Sequence, residues 1–152
     1  MADRTALIER MNEVLSWELA GIIQNLNHSM MVTGKNRLEY SEFFSDNSKE
    51  NQQHAELIGK RIAALGGVPT VEPATIIQAV TLDDMLEAAL SLEKNAMAAW
   101  EAALEAADGV PAGYRFWFEE MISEEQLHID ELMMLTSKVE FKANQLRKEG
   151  IA

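Results

Sequence analysis

The sequence predicts an all-α protein, a single four-helix bundle spanning 1–152, and three observations carry that expectation. The chain of 152 residues has only 3 Pro and 8 Gly, and its Ala, Leu, Glu and Met favour helix. Apolar residues recur at steps of three and four along four long stretches, the rhythm of a helix with one buried face. One stretch, 66–81, lacks that rhythm and holds two of the three prolines. Extended at about 3.3 Å per residue, a link of this length can cross the whole bundle and join two parallel helices.

Composition bounds the function classes. Apolar residues make up 47% and charged residues 25% of the chain, as in ordinary globular proteins. A net charge of −12 disfavours nucleic acid and anionic membranes as partners and favours cations. The absence of Cys excludes disulfides, thiolate metal sites and thiol catalysis. Asp3, Arg4, Glu9 and Arg10 interrupt any signal-like apolar run, and no segment reaches the length of a membrane span. The expected compartment is the cytoplasm.

The first helix is expected from about Arg4 to Thr33, with Asp3 as N-cap, Gly34 as stop and a buried stripe of Leu7, Met11, Val14, Ile22 and Leu26. Glu18 falls four residues from both Val14 and Ile22; by phase alone it is equally an acid at the stripe's edge. The second helix runs from about Leu38 to Leu65 and stops at Gly66-Gly67, with Phe43, Phe44, Ile58 and Ile62 facing inward. Asn51 and His54 share that side, where a single His is more often a hydrogen-bonded core residue than a ligand. The third helix follows Thr81, an N-cap before Asp83 and Asp84, and continues to about Ala107. Leu86, Leu90, Met97, Trp100 and Leu104 form its stripe, with Glu93 inside it. The fourth starts near Pro111 and meets neither Gly nor Pro before Gly150, which makes it the longest expected element. Phe118, Met121, Glu125, His128 and Leu132 set its inner face.

Each helix thus carries a ligand-type residue near mid-length on its buried face: Glu18, Asn51 with His54, Glu93, and Glu125 with His128. Buried acids and imidazoles are costly unless paired or bound to a cation. One Glu from each of two helices and an oxygen-x-x-His pair from each of the others is the pattern of a carboxylate-bridged dimetal site. Carboxylate oxygens and imidazole nitrogens suit iron or manganese.

Over nearly its whole length the chain resembles the bacterioferritins of the ferritin-like superfamily. The matching motifs are Trp17-Glu18-Leu19-Ala20 with Gln24 and His28, Gln53-His54-Ala55-Glu56 with Leu65-Gly66-Gly67-Val68-Pro69, Leu90-Ser91-Leu92-Glu93, and Glu124-Glu125-Gln126-Leu127-His128-Ile129-Asp130. The resemblance implies a ferritin-like bundle with a long crossover between helices 2 and 3. It makes Glu18 and Glu93 terminal metal ligands, Glu125 a bridging ligand, and His54 and His128 the nitrogen ligands. It implies iron as the metal, one or two ions per subunit with manganese or zinc as substitutes. It also implies ferrous iron oxidation by oxygen or peroxide, iron storage, and a homo-oligomer, at least a dimer, with a larger shell in many members.

Four positions depart from the family pattern. The second bridging glutamate falls on Asn51, which offers a neutral carbonyl oxygen, so three carboxylates face two divalent cations. Glu50 is next to it but about 100° around the helix; it must reach around, or serve as an entry or inner-surface group with Asp46. The haem-ligating methionine falls on Gln52, so no haem is expected. A tyrosine used as an electron donor falls on Asn25. With no break before Gly150, the fifth helix is expected to be short or absent. The leading expectation is a ferroxidase; the alternative is a non-catalytic structural or partner subunit with a one-metal or empty site.

Overall fold

The computed structural model describes residues 4–142. Four helices follow in order: α1 (Thr5–Met31), α2 (Arg37–Ala64), α3 (Leu82–Glu105) and α4 (Ala112–Leu135). Short links at 32–36 and 106–111 make α1/α2 and α3/α4 neighbouring hairpins. Gly34 and Gly66 take the positive φ values of 102° and 84° that their turns require. Thr81 caps α3 as expected, its Oγ1 accepting from Asp84 N at 3.2 Å. Arg4, not Asp3, stands at the N-cap of α1; Asp3 lies outside the described residues.

The crossover is tied to α1 along its length. Asn12 Nδ2 donates to Val68 O and its Oδ1 accepts from Thr70 N. Ala74 N donates to Ser16 O, Ile77 N to Gln24 Oε1, and Ala79 N to His28 Nε2. Chain numbers rise together on both strands of this seam, so the crossover runs with α1 and returns to the end where α2 began. Therefore α3 runs parallel to α2.

Two apolar clusters confirm that direction and frame the middle of the bundle. One gathers Leu7, Met11, Ile58, Ile62, Trp100 and Phe118; the other Val32, Phe44, Met85, Leu86, Leu90 and Leu132. Along α1 and α4 the first cluster comes before the second, and along α2 and α3 the order reverses. Between the clusters every helix presents polar side chains. Helix α1 packs on α2 and α3, and α3 on α4, whereas α2 and α4 stand farther apart.

Three expectations change. Leu26 is 49% exposed and Ile22 only half-buried, because the α1 stripe turns through Glu18, Gly21, Asn25 and His28 instead. The fourth helix stops at Leu135 and is shorter than α2. Ser137 adopts φ 55°, Thr136 Oγ1 closes the helix end by donating to Leu132 O at 2.7 Å, and Lys138 N donates to Met133 O at 2.9 Å. That left-handed cap ends a helix without glycine, so a break does precede Gly150. A fifth helix would lie outside the described residues. No helix among the described residues is long and apolar enough to cross a membrane.

Candidate metal centre

Glu18, His54, Glu93 and Glu125 are buried between the two apolar clusters, and His128 is half-buried beside them. The helix period explains the convergence: each residue continues the stripe that packs its own helix, at the depth where both clusters leave off. Two triads result, Glu18–His54–Glu125 and Glu93–Glu125–His128, the ligand atoms of each lying within 4.8 Å of one another. Metal–oxygen and metal–nitrogen bonds of about 2.1 Å set ligand atoms roughly 3 to 4 Å apart, so small side-chain rotations close either triad. Glu125 belongs to both.

The donor atoms themselves support a cation. His54 Nδ1 stands 3.5 Å from Glu18 Oε1, and His128 Nδ1 3.9 Å from Glu93 Oε2. Glu18 Oε1, His54 Nδ1 and Glu125 Oε2 are buried without a hydrogen-bond partner among the described residues. Orphaned buried polar atoms are rare and costly, and these three point into one triad. Oxygen and imidazole donors of this kind fit iron, manganese or zinc.

Both rings turn their other nitrogen toward Glu50. Its Oε1 is 3.2 Å from His128 Nε2 and 3.9 Å from His54 Nε2. The wide gap between α2 and α4 lets this long side chain reach across, despite its position one residue off the inner stripe. Glu124 Oε2 approaches His54 Nε2 at 3.6 Å. Among the described residues Asp46 joins no such group.

Electrostatics follows from this crowding. Burial pushes the Glu125 carboxyl far up, helped by Glu93, Glu18 and Glu50, and burial raises its coupled neighbour Glu93 as well. Without a cation, the pair keeps a proton between them. His54 is pulled down by burial, yet Glu18, Glu50 and Glu124 outweigh it and hold the ring above its ordinary value. The hydrogen bond to Glu50 raises His128 and lowers Glu50 in turn. A cation entering the centre displaces protons from the same groups.

Asn51 is buried but does not turn its oxygen to the triads. Its Nδ2 donates to Glu18 Oε2 at 2.9 Å, and its Oδ1 accepts from Asn25 Nδ2 at 2.9 Å. Sequence reasoning marked Asn25 only as the place of a missing electron-donor tyrosine, not as a partner of Asn51, and did not single out Glu124. Asn25 lies seven residues after Glu18, two turns along the same face, and that spacing was the available signal. Nothing in the pattern around Glu124 marks it beyond its place beside Glu125.

An oxygen- and imidazole-lined centre inside a crossover four-helix bundle defines a ferritin-like protein. The family model for the ferritin-like domain matches residues 8–141, and the chain belongs to that family. It is 33% identical to the bacterial ferritin of Pseudomonas aeruginosa over 99 residues, 65% of this chain and 64% of that protein, just under two thirds of its length. It is 32% identical to the bacterioferritin of Brucella melitensis over 137 residues, 86% of this chain and 82% of the relative. Among solved structures, a ferritin-like diiron-carboxylate protein from Bacillus anthracis strain Ames superposes with a TM-score of 0.85 at 31% identity. That superposition covers 90% of this chain and 99% of the other.

Proposed function

We propose that the centre binds two divalent metal ions, iron in function, and that the protein oxidises ferrous iron there as part of iron handling. The observation that carries this reading is the trio of partnerless buried atoms, Glu18 Oε1, His54 Nδ1 and Glu125 Oε2, in a bundle whose relatives are named for iron. Glu18 with His54 would hold one ion and Glu93 with His128 the other, with Glu125 between them. Bound ferrous iron would supply the electrons that reduce oxygen or peroxide, leaving ferric iron.

The protein's own groups do the rest. Glu50 draws His128 Nε2 outward at 3.2 Å, and Glu124 and Glu50 lie at 3.6 and 3.9 Å from His54 Nε2, an arrangement that leaves each Nδ1 lone pair free for a cation. It also restores a fourth carboxylate to the charge count, outside the metal pair. The apolar clusters on either side limit water, which strengthens charge interactions within the centre. The cavity of about 50 Å³ lined by Phe43, Asn47, Glu93, His128, Glu131 and Leu132 reaches the His128 side, so that side fills first. Gln52 is exposed and carries no thioether, and haem is not expected. Ile23, Leu26 and Met30 are 46–60% exposed on α1, an apolar face suited to a second copy in a homo-oligomer.

A second reading has its own support. The Asn51 oxygen is engaged by Asn25, so no second carboxylate bridges the ions, and the centre binds metal with slow or absent turnover. Anaerobic titration of the metal-free protein with ferrous iron, followed by stopped-flow mixing with oxygen, separates the two. Uptake near two ions per chain with rapid ferric absorbance supports the oxidase. Uptake without oxidation supports the metal-binding subunit, and no uptake overturns the metal centre and leaves the structural subunit with an empty site.

A further inference from the structure

We propose that Asn51 is a positioning residue and not a metal ligand: locked by Asn25, it occupies Glu18 Oε2 and commits Glu18 to meet metal through Oε1 alone. The inference rests on the metal centre proposed above and explains what stands where a bridging carboxylate is missing.

Three observations carry it. The buried chain Asn25 Nδ2 → Asn51 Oδ1, Asn51 Nδ2 → Glu18 Oε2 has two bonds of 2.9 Å. Its polarity is set by chemistry: a carboxylate oxygen accepts, so the Asn51 amide must turn its nitrogen to Glu18, which leaves its oxygen for Asn25. Rotation of Asn51 to ligate metal would break both bonds in a poorly solvated interior, where each lost partner is expensive.

The second observation is space. A Cβ on Gly21 would lie 2.6 Å from Asn51 Cγ and 2.7 Å from both Nδ2 and Oδ1. The amide therefore rests flat on the α1 backbone, in room that only glycine leaves. Its contacts, with Glu18, Gly21 and Asn25, all lie on α1. The third observation is the complement of the first: Glu18 Oε2 is bonded while Glu18 Oε1 is orphaned. One oxygen is spoken for, and the other faces His54 Nδ1 at 3.5 Å.

The consequence is a pair of unlike metal positions, with Glu18 restricted to one donor oxygen. Infrared difference spectra of zinc-loaded minus metal-free protein test this in whatever assembly the chain forms. Glu and Asn are carbon-13-labelled in separate samples, and zinc uptake is measured independently by equilibrium dialysis. The expected result is no zinc-induced change in the Asn side-chain carbonyl bands. A Glu carboxylate should show the wide splitting of one-oxygen binding, and that splitting should narrow in Asn51→Ala as Glu18 becomes free to bind through both oxygens. Asn25→Ala should narrow it less. An Asn carbonyl shift on zinc binding that disappears in Asn51→Ala would overturn the proposal, since Asn51 would then be a ligand. Unchanged Glu splitting in a folded Asn51→Ala would overturn it too. Absence of zinc uptake by dialysis would instead overturn the metal centre itself.

Discussion

The two triads share a carboxylate and a motif spacing, yet they differ in how closed they are. His54 lies within the bundle with a side chain 7% exposed, whereas the His128 side chain is 30% exposed beside the small cavity at Phe43 and Asn47. On the inner side of His54, Glu18 Oε2 is held by Asn51 while Glu18 Oε1 and His54 Nδ1 are left without partners; on its outer side Nε2 faces the part-exposed Glu50 and Glu124. Around His128 the dominant partner is Glu50, itself over a third exposed. The comparison teaches that one sequence pattern can build a closed position and an accessible one around a shared ligand. A closed position favours retention of an ion, and an accessible one favours entry.

The largest expected effect removes what both sides share. Glu125→Gln keeps the shape of the side chain and removes its ability to ionise. Metal uptake should drop from about two ions per chain to fewer than one, read by anaerobic ferrous titration. The metal-free protein should gain stability at neutral pH, by roughly 1–3 kcal/mol as for relief of an unsatisfied buried group. The sign follows from the raised carboxyls. Glu93 and Glu125 titrate above the ordinary 4.5 and His54 and His128 above 6.5, so their contributions are present at low pH and fade as pH rises through the raised values. Glu50, lowered by His128, runs the other way, its contribution lost only as pH falls through its lowered value. Denaturant unfolding of metal-free protein should therefore show falling stability from mildly acid to mildly basic pH, with a flatter profile in Glu125→Gln. A profile as steep in the variant would break the assignment of the slope to this pair.

Next in size is the removal of one ring at a time. His54→Ala and His128→Ala should each lower uptake to about one ion per chain. They should differ in kinetics. The ion left in His54→Ala occupies the open side and should be lost quickly to a chelator; the ion left in His128→Ala should be lost slowly. Equal release rates would mean that the exposure of the His128 ring has no bearing on access. His54→Ala should also cost more stability, because Glu18 then loses its nearest cationic neighbour where water is scarce.

Much of this was legible in residue spacing. The steps of 3, 4, 3 and 4 through Phe118, Met121, Glu125, His128 and Leu132, and the acids interrupting the other stripes, put these polar side chains on the inner faces before any coordinates do. The crossover, with its prolines and broken rhythm, was legible for the same reason. What the sequence could not show was decided by side-chain direction. Asn51 has the phase of an inner ligand, but its rotamer follows the space beside Gly21 and the donor on Asn25; periodicity puts Asn25 on the inner face without showing which side chain it bonds. Glu50 has the wrong phase, yet it reaches both rings because α2 and α4 stand apart. The end of α4 depends on a left-handed Ser137, a conformation that glycine usually marks and serine rarely does.

The smallest effect is expected at Glu50, and it sharpens the comparison most. Glu50→Gln retains an oxygen that can accept from an imidazole N–H, so the rings keep a partner while the charge is lost. Changes of this kind to groups behind a metal ligand typically weaken binding about 10–100-fold. The geometry makes the loss unequal. Glu50 Oε1 is at hydrogen-bond distance from His128 Nε2, 3.2 Å, but only at 3.9 Å from His54 Nε2, where Glu124 at 3.6 Å also contributes. The His128 side should therefore account for most of the lost affinity, and the His54 side should retain nearly its original binding. Zinc calorimetry on Glu50→Gln in the His54→Ala and His128→Ala backgrounds measures each side alone. Equal weakening in both backgrounds would show that Glu50 acts through overall charge. No weakening in either would remove Glu50 from the centre and leave three carboxylates to hold whatever cations enter it.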